Sequence, residues 1–231
     1  MLRRLLSPCL LVVCAAAAAQ DPLPPALKGS EKLAALLDQV SQAQARITTL
    51  EASFEQRRSS RLLARPSDSK GRFYFQAPDW VRWEYSEPRQ MTVLLSGGVA
   101  LTYRPAEKRA ERVEVGRVQR RVLRFLGAAE PLAALKQYFS FTLRDPGDAR
   151  NYTLTLAPTT YQLKKRISSV EIEIDRARYL PVAVSYTEPD GDRTAYSFRD
   201  ITVNQPLAGG LFNLELPSDV EVVRIKLRSG E

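Results

Sequence analysis

The 231-residue sequence contains no histidine, and its only two cysteines, Cys9 and Cys14, fall within the first fourteen residues. Without histidine the chain lacks the side chain that ordinarily moves protons near neutral pH. A Ser-His-Asp or Cys-His arrangement cannot be built. Zinc and copper sites of the ordinary kinds need His or Cys and are excluded beyond residue 14. No disulfide can form there either, so the rest of the chain must be stable by burial alone, which its length allows. Two carboxylate pairs remain. Glu171 and Glu173 alternate away from Ile172 and Ile174 and read as a solvent face; Asp190 and Asp192 bracket Gly191 in a turn, where Asp suits the backbone. A calcium loop would need more oxygen ligands at regular spacing. Gly97-Gly98 has no helix after it and is no phosphate loop. The chain is therefore expected to be no enzyme, with no metal and no cofactor.

Long apolar runs are also scarce. Arg3 and Arg4, then Leu5 to Val13, then the small residues Ala15 to Ala19 form a signal peptide, with cleavage expected after Ala19. That run is shorter than the roughly 20 residues that cross a bilayer, and no later segment is apolar enough. Residues 1–19 are thus read as signal peptide, 20–29 as a proline-bearing linker, and 30–231 as a single domain of an exported protein. Leu11-Val-Val-Cys14 resembles a lipid-attachment site, although Val13 stands where a small residue is expected. The formal charge of +8 falls to +6 without Arg3 and Arg4. Basic runs such as Arg120-Arg121 and Lys164-Lys-Arg166 would suggest nucleic acid in a cytosolic protein, but an exported chain does not meet it. They read as a solvated basic face, or as an attraction for anionic head groups or an acidic partner.

What the chain has in quantity is short strands with large apolar side chains. After a helix over about 31–46, capped by Ser30 and striped by Leu33, Leu36, Leu37, Val40 and Ile47, the period changes to two. Leu50, Ala52 and Phe54 alternate with charged or small polar residues. Phe73 and Phe75 follow, then Val81, Trp83 and Tyr85, then Met91, Val93 and Leu95, a Gly97-Gly98 turn, and Val99, Leu101 and Tyr103, with Val113 and Val115 closing the run. Connections this short join antiparallel neighbours. A helical pattern returns over 118–138, with Val122, Leu123 and Leu126 and then, after Pro131, Leu132, Leu135 and Tyr138. Strands resume over 139–143, 152–156, 167–174, 182–186 and 194–203, and Phe212 to Leu216 reads as a last extended piece.

A sheet of about eleven strands must curl or close. The fold class is mainly β within α+β: an unclosed antiparallel β-barrel of about eleven strands, with the N-terminal and mid-chain helices forming a lid over an apolar cavity. Phe54, Phe73, Phe75, Trp83, Tyr85, Val93, Leu95, Leu101, Tyr103 and Tyr196 are expected to line it, under Leu36, Val40, Leu123 and Leu126 of the lid. Period-two aromatics by themselves fit a filled core equally well.

The order of these residues resembles the LolA family of periplasmic outer-membrane lipoprotein carriers. The likeness rests on a first helix running into Leu50-Glu-Ala-Ser-Phe54-Glu-Gln56, then Gly71, Pro78, Trp83, Pro88, Gly97 and the Tyr103-Arg-Pro105 corner. Arg193-Thr-Ala-Tyr196 and Leu211-Phe-Asn-Leu-Glu-Leu-Pro217 resemble the family's last strands. The resemblance implies a monomer in the periplasm that shelters the acyl chains of lipoproteins. It implies an inner-membrane ABC transporter as donor, an outer-membrane acceptor, and no nucleic acid. A carrier or sensor of another lipid or glycolipid, or an outer-membrane-anchored acceptor acylated at Cys14, are the alternatives. One position departs from the pattern: family carriers commonly place a lid-latching Arg before the proline of the second strand, where this chain has Ala77.

Overall fold

The computed structural model describes residues 23–24, 26–62, 64–114, 132–145 and 150–225. Twelve strands form one sheet: β1 Thr49–Ser59, β2 Ser67–Gln76, β3 Trp80–Glu87, β4 Met91–Ser96, β5 Val99–Arg104, β6 Arg109–Glu114, β7 Phe139–Arg144, β8 Asn151–Pro158, β9 Ser169–Asp175, β10 Pro181–Thr187, β11 Arg193–Val203 and β12 Glu221–Ile225. Their spatial order is β12-β6-β5-β4-β3-β2-β1-β11-β10-β9-β8-β7, open between β12 and β7. Two antiparallel meanders, β1–β6 and β7–β11, therefore meet where β1 pairs with β11. Eleven strands fall where alternation predicts them.

Helix α1, Gly29–Ala45, begins after Lys28, whose backbone is extended; Ser30 lies inside the helix and is not the cap. Its buried stripe of Leu36, Leu37, Val40 and Ala43 packs on β7 and on a 3-10 stretch, Leu132–Gln137. That stretch is the described part of the expected 118–138 helix and is 3-10, not α; it buries Leu132 and Leu135. Leu123 and Leu126 lie outside the described residues. A further single turn, α2 Tyr161–Lys164, joins β8 to β9.

The pairing register fixes which face each side chain takes, because directly opposed residues point the same way. One row runs Ala52, Phe73, Trp83, Val93, Thr102 and Glu111; the next runs Leu50, Phe75, Val81, Leu95, Ala100 and Val113. Across the other meander, Leu143, Leu154, Ile172, Val184 and Tyr196 line up. Up to Val93 and Ala100 in the first two rows, and throughout the third, these residues share one core with the α1 stripe, and the rows define the inner face. Glu171 and Glu173 stand on the outer face, where Arg193 and Asn151 reach them.

The β10–β11 turn shows why Asp and Gly occupy it. Gly191 sits at φ +91°, its N–H donates to the Glu188 carbonyl at 3.0 Å, and Asp190 Oδ1 accepts from the Asp192 N–H at 3.1 Å. The expected extended piece Phe212–Leu216 is not a strand. It belongs to an irregular segment, 204–220, that crosses the outer face: the Phe212 ring lies tilted against Trp80 at 5.9 Å between centres, and Arg82 donates to the Leu211 carbonyl. The segment ends in β12, the twelfth strand, which pairs in parallel with β6 in an otherwise antiparallel sheet.

Candidate functional site

The inner face of β1–β4 and β11 carries a cluster of rings built on small residues. Gly71 is opposite Phe54, and a Cβ there would lie 1.9 Å from the Glu84 carbonyl oxygen and 2.8 Å from the Phe54 ring. Only glycine lets Phe54 lie flat over β2 and reach Trp83 and Tyr85, each at 4.9 Å between ring centres. Phe73 meets Trp83 at 4.7 Å, and Tyr196 meets Trp83 at 5.3 Å. These are edge-to-face or tilted contacts, the arrangement favoured by ring quadrupoles. The hydroxyls of Tyr85 and Tyr196 hydrogen-bond each other, and burial pushes both above the ordinary tyrosine value.

Eight of the ten residues expected to line the interior lie on this face. Phe54, Phe73, Phe75, Trp83 and Leu95 are buried, and Tyr85, Val93 and Tyr196 are half-buried against them. Leu101 and Tyr103 do not join them. Leu101 opposes Leu94 and Tyr103 opposes Thr92, on the outer face, while their neighbours Ala100 and Thr102 take the inward positions opposite Leu95 and Val93. The tight Gly97-Gly98 turn sets that parity, and alternation along β5 alone could be started on either residue. Of the lid residues, Leu36 and Val40 are fully buried in the same core. Sequence reasoning missed Phe198, which packs 5.9 Å from Trp83 and 5.8 Å from Phe73; its spacing of two from Tyr196 was the available signal. It also missed the charged residues Arg104, Arg109 and Glu111 on the inner face of β5 and β6.

Helix α1 is held at its two ends by polar contacts. Near its start Lys32 reaches Asp145 at 2.5 Å, and Arg176 reaches the same carboxylate from the β9–β10 turn. At its end Asn204, in a left-handed conformation, accepts from the Thr48 N–H and donates to the Arg46 carbonyl, tying helix to β11. In its last turn, Gln44 Oε1 accepts from the Leu132 N–H at 3.2 Å, while Gln44 Nε2 is buried with no hydrogen-bond partner. An unpaired buried amide costs on the order of 1–3 kcal/mol and loosens the seal it sits in. Ala77 makes no side-chain latch; its N–H donates to the Thr48 carbonyl at 2.8 Å. Arg82 faces outward, to Glu84 and Leu211, and holds the C-terminal segment rather than the helix.

A cleft of about 430 Å³ opens on the outer face over β2, β1, β11, β10 and β9. Its charged walls pair with each other, Lys70 with Glu55 at 4.0 Å and Arg193 with Glu171 at 3.6 Å, so it offers little to a hydrocarbon. Among the described residues no group of three or more His, Cys, Asp or Glu is placed to hold a metal ion. The feature with chemical capacity is the inner face: aromatic and aliphatic surface on an unclosed sheet, beneath a helix fixed at its ends.

The family model for the outer membrane lipoprotein carrier protein LolA matches residues 45–215, from the end of α1 to the outer-face segment. The chain belongs to the LolA family. It is 27% identical to an outer-membrane lipoprotein carrier protein of Chromohalobacter salexigens over 202 residues, 85% of this chain and 87% of that one. A second such carrier, from Methylococcus capsulatus, is 25% identical over 179 residues, covering 77% and 82%. A crystal structure of an uncharacterized conserved protein from Thermus thermophilus superposes with a TM-score of 0.52 at 14% identity, over 84% of this chain and 99% of that one. The last likeness bears on the fold alone.

Proposed function

We propose that this LolA-family protein is a periplasmic carrier that shelters the acyl chains of lipoproteins against its inner face. In this reading it receives them from an inner-membrane ABC transporter and passes them to an outer-membrane acceptor, acting as a monomer and catalysing no reaction. The observation that carries the reading is the apolar inner face of an unclosed sheet, packed on one side by a helix, in a chain of this family. Each methylene moved from water to that face is worth about 0.8 kcal/mol, so a rigid deep pocket would release several acyl chains far too slowly. A carrier needs a roof that lifts at modest cost. The Phe54–Trp83–Tyr85–Tyr196 rings cover this part of the face, and chains would enter by parting them.

Native mass spectrometry of the protein purified from the periplasm tests this. Bound lipoprotein, lost when Val93 is replaced by Glu without loss of folding, is the expected result. A bound glycolipid or phospholipid in place of lipoprotein would move the reading to another cargo, and a diacylated Cys14 at the mature N-terminus would make the protein an anchored acceptor. Cargo recovery unchanged in Val93→Glu would overturn the inner face as the binding surface.

A further inference from the structure

The inner face is not apolar to its edge. The row that begins Ala52, Phe73, Trp83, Val93 runs through Thr102 and Glu111 to Val223 of β12, and the next residues along β5 and β6 on the same face are the opposed pair Arg104 and Arg109, with Glu221 of β12 opposite Arg109. Glu111 lies between the two guanidiniums, with Oε2 at 3.2 Å from Arg104 and Oε1 at 3.3 Å from Arg109 Nε. The second contact has the separation of an ion pair but not the alignment of a hydrogen bond: Arg109 Nε is buried with no acceptor. The three side chains are between a fifth and a half exposed, with Glu111 at 22% and Arg109 at 43%. Two guanidiniums carry ten N–H donors, and a single carboxylate occupies few of them.

We infer that Arg104, Arg109 and Glu111 form a subsite for the polar junction of the cargo, taking the ester and amide carbonyl oxygens that join acyl chains to the rest of the molecule. This rests on the carrier reading above. An amphiphile whose chains lie along Phe75, Val81 and Trp83 has its polar end toward this edge, where the face changes from hydrocarbon to donors. Glu111 decides the ligand class. It offsets one of the two positive charges, with Glu221 opposite Arg109 adding a second carboxylate, so an incoming phosphate or carboxylate is repelled, whereas a neutral carbonyl can accept from the guanidinium N–H groups. Charge-assisted hydrogen bonds to such oxygens are the stronger kind. The subsite therefore reads where the chains end, and orients cargo with its polar part over β5 and β6.

The test uses two synthetic diacyl lipopeptides of equal chain length, one with ester linkages and one with ether linkages that lack the carbonyls. Wild-type protein is expected to bind the ester form about tenfold more tightly, roughly one charge-assisted hydrogen bond. In Arg109→Gln that preference should fall toward one while affinity for the ether form stays within about twofold, which also reports that the variant is folded. Arg104→Gln should show the same pattern more weakly. An ester preference that survives in Arg109→Gln, or a wild type that binds both forms equally, overturns the subsite and leaves the carrier reading standing. Binding of neither peptide by the wild type overturns the carrier reading itself.

Discussion

Across β7–β10 the inner face is sealed and aliphatic at its centre: Leu154, Leu156, Ile172 and Ile174 have no exposed surface, Phe139 and Tyr152 are buried beside them, and α1 and the Leu132–Gln137 stretch pack on β7. Across β1–β5 the same face is aromatic, and Tyr85, Val93 and Ala100 keep part of their surface exposed before the charged edge begins. One sheet thus has two kinds of interior. Branched aliphatic chains interdigitate without gaps and fix a structure. Rings that rest on each other edge to face can be parted and re-formed, each pair being worth only about 0.5–1.5 kcal/mol beyond its buried area. The first half anchors the helix; the second half is where a guest can displace what is there.

The largest difference should appear on truncating matched positions. Ile172→Ala is expected to cost about 2–5 kcal/mol, and Val93→Ala, half-buried at the other end of the sheet, about 1 kcal/mol; urea unfolding midpoints measure both. Equal costs would erase the distinction between the halves. Next comes Gly71→Ala. Its Cβ collides with β3 backbone, which cannot step aside as a side-chain tip can, so a loss of at least about 1–3 kcal/mol is expected. Gly209→Ala, with nothing within 4 Å, should change little.

A smaller effect is expected where the helix is tied. Asp145→Asn weakens the contacts to Lys32 and Arg176, and amide exchange in α1 should quicken by the equivalent of roughly 1–2 kcal/mol while β8 and β9 stay protected. Uniform acceleration across the sheet would mean that helix and aliphatic half open together. The smallest effect is one of pH. The Tyr196 phenol ionises later in the folded protein than in the unfolded chain, so its stabilising contribution is complete below about pH 10 and is lost as pH rises above that. Tyr196→Phe should flatten the fall in stability between about pH 9 and pH 11. An unchanged slope would show that the phenol is not held neutral by burial.

Much of this was readable from residue order. Alternation places eleven strands, and the spacing of Phe54, Gly71 and Trp83 foretells a ring cluster, because period two leaves few choices once one face is buried. What escaped was set by contacts far apart in sequence. The parity of β5 depends on how the Gly97-Gly98 turn seats it against β4, and so Leu101 and Tyr103 turn outward. β12 gains its place from β6, more than a hundred residues earlier, and its sequence Glu-Val-Val-Arg-Ile carries no clean alternation. Asn204 and Asp145 secure the helix through side chains that no local pattern marks.

The central claim is that cargo chains lie on the inner face and not the outer. A photoreactive amino acid placed at Val93 or at Leu101, activated in the intact periplasm, tests it directly, since the two positions lie on neighbouring strands and on opposite faces. Adducts with acylated lipoprotein at position 93 and none at 101 are predicted. Adducts at 101, or at both positions alike, would contradict the account.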